Sequence, residues 1–220
     1  MWYKVNKIRV GTKIVRPSSR LPSAYQEVKY IENSWITQYI NTWIIPTSNT
    51  KVELKINITQ FVSWGTDAAV YWVWNYNNST WRFNLWYWAN GWLGFWYGNN
   101  NWGNYKTALS LNTDAVIENY ISSWTVYNVV NWVSKTYSWA SFSTDSYSMI
   151  IFWRKTPSDN DLRLQYKLYY FQIYESWTLV RDFVPCYRKS DKVIWLYDLV
   201  NNQFYTNAWT GTFTKWWNVN

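Results

Sequence analysis

The sequence predicts an all-β protein: an antiparallel β-sandwich or jelly roll with a short N-terminal arm. Short stretches of alternating apolar and polar residues recur along it, turn-forming Asn, Ser and Thr separate them, and little carries a helical period. A length of 220 residues suits one sandwich domain.

Each element has its own reason. Val5–Val15 alternates around Gly11 and reads as a short hairpin within a basic arm, residues 1–20. That arm carries Lys4, Lys7, Arg9, Lys13, Arg16 and Arg20 with no acid. Pro17–Pro22 is a linker, which places the sandwich at 21–215 and a tail at 216–220. Strands are then expected at Tyr25–Ile31, Gln38–Ile45, Lys51–Phe61, Ala68–Asn75, Arg82–Ala89 and Leu93–Tyr97. Further strands follow at Ala115–Ile121, Thr125–Val130, Ser134–Trp139, Ser148–Arg154, Leu164–Tyr174, Leu179–Val184 and Val193–Tyr197. Val52–Ile58 and Leu164–Leu168 alternate without a break, so each has one buried and one wet face. In Gly91–Gly98, Leu93, Phe95 and Tyr97 form one face and Trp92, Gly94, Trp96 and Gly98 the other.

The composition is unusual in one respect: 21 tryptophans stand beside seven glycines. Average usage predicts roughly 15 glycines in this length. Nine of the 21 tryptophans directly follow Asn, Ser or Thr, which is turn chemistry. Asn131-Trp132 sits between two alternating stretches where Asn-Gly would form a two-residue hairpin, and Glu175-Ser176-Trp177-Thr178 occupies another turn. Lys215-Trp216-Trp217-Asn218 looks like a glycine pair in a polar tail. A left-handed backbone costs a residue with a Cβ roughly 1–2 kcal/mol and glycine almost nothing. The expectation is that most of these tryptophans are UGA codons read as glycine in the source organism. Trp74 and Trp88, inside strands among apolar neighbours, fit glycine least well. The alternative is a genuinely Trp-rich sugar-binding or aggregation-prone protein.

Several function classes lose support. With no histidine, Ser-His-Asp and Cys-His catalysis and the usual zinc sites are excluded. The carboxylates are sparse, and the Glu53 strand lacks the closely spaced acids of a sandwich glucanase. Asp159-Asn160-Asp161 offers oxygen ligands of the kind calcium takes, yet it follows Pro157-Ser158 and reads as an Asx-rich turn. No enzyme, cofactor, metal or catalytic residue is expected. Cys186 stands alone and reads as a buried structural thiol. No run of 18 apolar residues predicts a membrane span, and Met1–Arg20 has no apolar core of a secretory signal. Synthesis and assembly inside a cell are expected. A net charge of +8 without any nucleic-acid motif argues for an arm that docks on a partner, or for a solvated linker, and against nucleic acid.

Tyr30-Ile31-Glu32-Asn33-Ser34-Trp35-Ile36-Thr37-Gln38-Tyr39-Ile40-Asn41-Thr42-Trp43-Ile44 resembles the N-terminal strand pair of laminin-G/concanavalin A-like domains of phage virion and gut-bacterial surface proteins. There the pattern runs Tyr-Ile-Glu-Ser-x-Gly-Thr-Gln-Tyr-Ile-Asp-Thr-Gly-Ile; this chain adds Ile36. Lys167–Tyr174 and Trp177–Pro185 are similar to the family's closing strands, where Gly-Thr-Leu-Val-Arg-Asp-Phe is usual. Ile194–Asp198 and Phe204–Asn207 are similar to its Gly-Leu-Tyr-Asp and Phe-Tyr-Thr-Asn ending. Trp35, Trp43, Trp177 and Trp195 stand at family glycines. UGA-as-glycine decoding is associated with certain candidate-phylum bacteria and would extend to their phages.

The resemblance implies a jelly-roll sandwich displaying loops on one rim, as a non-enzymatic structural or glycan-binding module. It would be virion- or tail-associated, held to other virion proteins by its N-terminal arm, and would meet glycans or a host surface. Glycan binding would stack Tyr faces on sugar rings and use Asn amides on hydroxyls. The loop residues suited to this are Asn75, Tyr76, Asn77 and Asn78, with Asn99, Asn100, Asn101, Asn104 and Tyr105; ordinary turn structure is the competing explanation. The alternatives are a bacterial cell-surface adhesion module and a divergent glycan-active sandwich enzyme, which would need two carboxylates about 5–9 Å apart.

Overall fold

The computed structural model describes residues 9–10, 13–14, 20–33, 38–61, 67–73, 82–98, 106–138, 141–142, 146–152, 164–208, 211–216 and 218. Strands and irregular segments account for all of them. In chain order the strands are β1 (Arg9–Val10), β2 (Lys13–Ile14), β3 (Tyr25–Glu27), β4 (Ile31–Glu32), β5 (Ile40–Asn41), β6 (Thr50–Phe61) and β7 (Asp67–Trp72). Next come β8 (Phe83–Trp88), β9 (Trp92–Tyr97), β10 (Lys106–Ala108), β11 (Asp114–Ser122), β12 (Thr125–Val130) and β13 (Val133–Ser138). The remainder are β14 (Ile150–Ile151), β15 (Leu164–Glu175), β16 (Thr178–Arg188), β17 (Ile194–Asp198), β18 (Gln203–Tyr205) and β19 (Thr214–Lys215).

These strands build the expected antiparallel sandwich. A six-stranded sheet runs β10-β9-β8-β7-β14-β5. The larger sheet, of 11 strands, runs β13-β12-β11-β6-β15-β16-β17-β18, with β3 on β16 and β4 between β15 and β19. Strands β1 and β2 pair as a separate hairpin, at the position expected within the arm.

Alternation determines which residues meet between the sheets. Val52, Leu54, Ile56 and Ile58 of β6 face inward with Ile117 of β11 and Leu168, Phe171 and Ile173 of β15. They meet Phe83, Leu85 and Tyr87 of β8 and Leu93, Phe95 and Tyr97 of β9 in one continuous core. The Gly91–Gly98 alternation holds, and its Leu93, Phe95 and Tyr97 face is the one turned inside. A Cβ on Gly98, where φ is +60°, would lie 1.7 Å from the Ser141 carbonyl oxygen, so the backbone approach there needs glycine.

A polar thread crosses this core. Tyr71 donates to Asn119 Oδ1 (2.8 Å), Asn119 donates to Asn128 Oδ1 (2.9 Å), and Asn128 reaches the Leu93 carbonyl (3.5 Å). All three side chains are buried. The thread joins the two sheets at one fixed register, because a slipped strand would leave these groups unpaired in the interior.

The C-terminal motif residues are structural. Asp198, fully buried at the end of β17, accepts from the backbone N–H groups of Asp182 and Val200 (both 3.0 Å) and from the Asn201 amide (2.6 Å). Arg181 of β16 lies 3.5 Å away and also donates to the Thr42 carbonyl. This cluster clasps β16 to β17 and fixes the turn that follows.

Some boundaries differ from the sequence expectation. Tyr25–Ile31 is divided, because β3 pairs with β16 whereas β4 crosses to β15. Strands β10, β18 and β19, of two or three residues, carry too little alternation to be read. Cys186 is fully buried, as expected, and burial pushes its thiol up to about 12.

Candidate ligand-binding surface

The face of the larger sheet turned away from the core is where its wet residues converge. Outward positions of β6 supply Lys51, Glu53, Lys55, Asn57 and Thr59, and those of β15 supply Lys167, Tyr170, Gln172 and Tyr174. A bulge between Leu168 and Tyr170 turns Tyr169 to this side as well.

One half of the face is electrostatically closed. Lys51 lies 2.5 Å from Glu118 and 3.6 Å from Glu53, which are cross-strand partners on β11 and β6. Burial acts to lower the Lys51 pKa, but the hydrogen bond and charge of Glu118 and the charge of Glu53 outweigh it and raise it. The Tyr120, Tyr174 and Trp177 rings surround the same ammonium, with centroids 5.4–5.9 Å away. Tyr120 stacks on Tyr127 across the β11–β12 ladder, 4.7 Å apart and 8° from parallel. Lys55 pairs with Asp114 at 3.0 Å. Burial acts to raise the Asp114 carboxyl, yet hydrogen bonds from Asn57, Lys55 and Tyr169 together hold it below the ordinary carboxylate value.

The other half opens into a groove of about 510 Å³ where β15, β4 and β19 lie in that order. Its walls are Lys29, Tyr30, Lys167, Tyr169 and Lys215, with Glu32, Thr59, Thr214 and Trp216. Thr59 donates to Glu32 Oε1 at 2.6 Å, and Thr214 to the Glu32 carbonyl at 3.2 Å. The Lys167 ammonium lies over the Tyr30 ring, 5.0 Å from its centroid, and Lys215 lies 4.3 Å from that of Tyr187.

The outer face of the smaller sheet is apolar. Trp72, Trp86, Trp88 and Trp96 pack on one another there, with centroids 4.8–6.1 Å apart between contacting pairs. Arg82 lies against Trp96 and Lys106 against Trp88.

The tryptophans at the turns behave differently. Ser123-Trp124, Asn131-Trp132 and Ser176-Trp177 each close a two-residue hairpin. Both residues of each pair have positive φ: 47° and 64°, 47° and 71°, 47° and 65°. Trp43 has φ 58°. These four indoles are between 64% and 79% exposed. Trp195, at another family-glycine position, is buried against Phe213, and its indole N–H lacks an acceptor among the described residues.

The loop residues Asn75, Tyr76, Asn77, Asn78, Asn99, Asn100, Asn101, Asn104 and Tyr105 lie outside the described residues, as do Asp159–Asp161 and most of the arm. The groove was not among the sequence candidates. Its only legible signal was the wet faces of Val52–Ile58 and Leu164–Leu168.

No family model matches the chain, and no curated protein does. Among solved structures it is similar to the native heptameric SAP-like pentraxin from Limulus polyphemus. That likeness has 8% identity and a TM-score of 0.41, and it covers 67% of this chain and 70% of the other. So slight a likeness carries no functional weight; the fold class rests on the strand pairing itself.

Proposed function

We propose that the chain is a non-enzymatic structural or glycan-binding module, carried on a virion or its tail and tied to other virion proteins by the basic arm 1–20. The observation that carries the binding part is the outward face of the larger sheet. There, tyrosine rings, lysines and hydroxyl groups stand side by side on a rigid ladder, the mixture that holds a sugar by stacking and hydrogen bonding. Display in many copies would turn weak single sites into firm attachment. The virion assignment comes from the laminin-G-like motifs, and localisation on the virion follows from it. A glycan array probed with the full chain tests binding; proteomics of purified particles tests the location. Recovery from bacterial envelopes in place of particles would favour a cell-surface adhesion module.

The enzymatic alternative has one observation in its favour: Glu53 and Glu118 are cross-strand neighbours. Against it, the Lys51 ammonium lies 3.6 Å from the Glu53 carboxylate and 2.5 Å from that of Glu118, so both are already engaged in ion pairs. Hydrolysis of any oligosaccharide, lost in Glu118→Gln, would establish that alternative.

We also propose that the turn tryptophans are glycines in the protein as its organism makes it. Three type I′-like hairpins with both central φ positive carry Ser-Trp, Asn-Trp and Ser-Trp, where glycine is favoured at the second central position. Mass spectrometry of the native tryptic peptide Val193–Lys215 is decisive for the wider recoding. Glycine at 195 and 209 would establish it, and tryptophan at both would refute it.

A further inference from the structure

We propose that the groove between β15, β4 and β19 binds an acidic saccharide unit, carboxylated or sulfated; this rests on the glycan-binding reading and adds the ligand class. The two halves of the sheet face differ in charge balance. Lys51 and Lys55 are matched by Glu118, Glu53 and Asp114. Lys29, Lys167 and Lys215, which line the groove, form no ion pair among the described residues. The only carboxylate there among the described residues, Glu32, already accepts from Thr59. Three lysines therefore line one shared space beside a single described carboxylate, an excess of positive charge.

A neutral sugar entering that space would strip water from the ammonium groups and return no charge. A carboxylate or sulfate returns it through charge-assisted hydrogen bonds. The saccharide is favoured over a bare anion because hydroxyl and aromatic groups share the walls. Thr59 and Thr214 supply the hydroxyls, and the Tyr30 and Tyr169 rings meet edge to face at 5.5 Å. The volume lies within the range of small-ligand sites. Trp216, which lies against Tyr30, belongs to the Trp216-Trp217 pair expected to be glycine, so the lysines and tyrosines must carry recognition without it.

The test is calorimetric titration of the full chain with a heparin tetrasaccharide, trigalacturonic acid, cellotriose and sodium sulfate. At least one acidic oligosaccharide should bind about tenfold or more tightly than cellotriose and than sulfate, and should weaken as salt rises. Lys167→Gln with Lys215→Gln should lose about tenfold, Glu32→Gln should gain a few-fold, and Lys135→Gln on exposed β13 should change nothing. Melting curves of each variant check that it is folded.

Equal binding of neutral and acidic oligosaccharides, or binding unaltered by the double lysine variant, would overturn the acidic site and leave the glycan reading standing. Sulfate binding as tightly as the oligosaccharides would reduce the groove to a plain anion site and overturn the proposal. Absence of binding by any saccharide would overturn both.

Discussion

At the scale of single residues, tryptophan plays opposite parts in different places. Trp132 is exposed, has φ 71°, and holds a position where a Cβ brings only strain. Replacing it by glycine should stabilise the chain by about 1 kcal/mol. Trp132→Ala keeps the Cβ and should recover less than half of that. Trp86 is buried against Trp72 and Trp96, and Trp86→Gly should cost about 3–5 kcal/mol. Urea unfolding of the three variants reads these signs directly. Destabilisation in Trp132→Gly would mean that the indole contributes packing which outweighs the strain.

At the scale of elements, the Asp198 clasp is the most sensitive joint. Asp198→Ala removes the acceptor for two backbone N–H groups and leaves Arg181 without its carboxylate, so a loss of about 3–5 kcal/mol is expected. Asp198→Asn keeps an acceptor oxygen and should lose less. The urea midpoints of the two variants separate hydrogen bonding from charge.

Elements were legible wherever one face is dry. Val52–Ile58 and Leu164–Leu168 alternate over several residues, and their strands appear where expected. The Asn131-Trp132 and Ser176-Trp177 turns were legible from turn chemistry despite the unusual letter. Strand β19 was not, since Thr214-Lys215 carries no apolar alternation and is held by pairing with Ile31-Glu32. Of the groove, only the wet faces of Val52–Ile58 and Leu164–Leu168 were legible. Its walls come from four separated stretches, and no spacing within any one of them announces that the others lie alongside.

For the whole molecule, burial of phenols and a thiol sets an alkaline limit. Tyr71 and Tyr166 are fully buried, and their phenol pKa values are raised well above 10 by burial; Cys186 is pushed up to about 12. These groups stay neutral in the fold but ionise in the unfolded chain from about pH 9 to 10. The stability they contribute is complete below that range and is lost progressively as pH rises above it toward the raised folded-state values. The urea midpoint should therefore fall steadily above about pH 10, and Tyr166→Phe should flatten that fall. The Cys186 thiol should resist a disulfide reagent at pH 8 in the folded protein and react at once in urea.

The pairing of β4 with β19 has a consequence for how the chain is made. Thr214 donates to the Glu32 carbonyl across a separation of 182 residues, and Lys215 stands opposite Ile31. As the ribosome delivers the polypeptide in order, β4 first gains β15 and then keeps one unsatisfied edge until β19 emerges. During that interval a neighbouring nascent chain can offer its own β19 to the open edge. Exchange of this strand between copies is thus a misassembly open to the topology, and crowded translation of many copies is the condition under which it would arise.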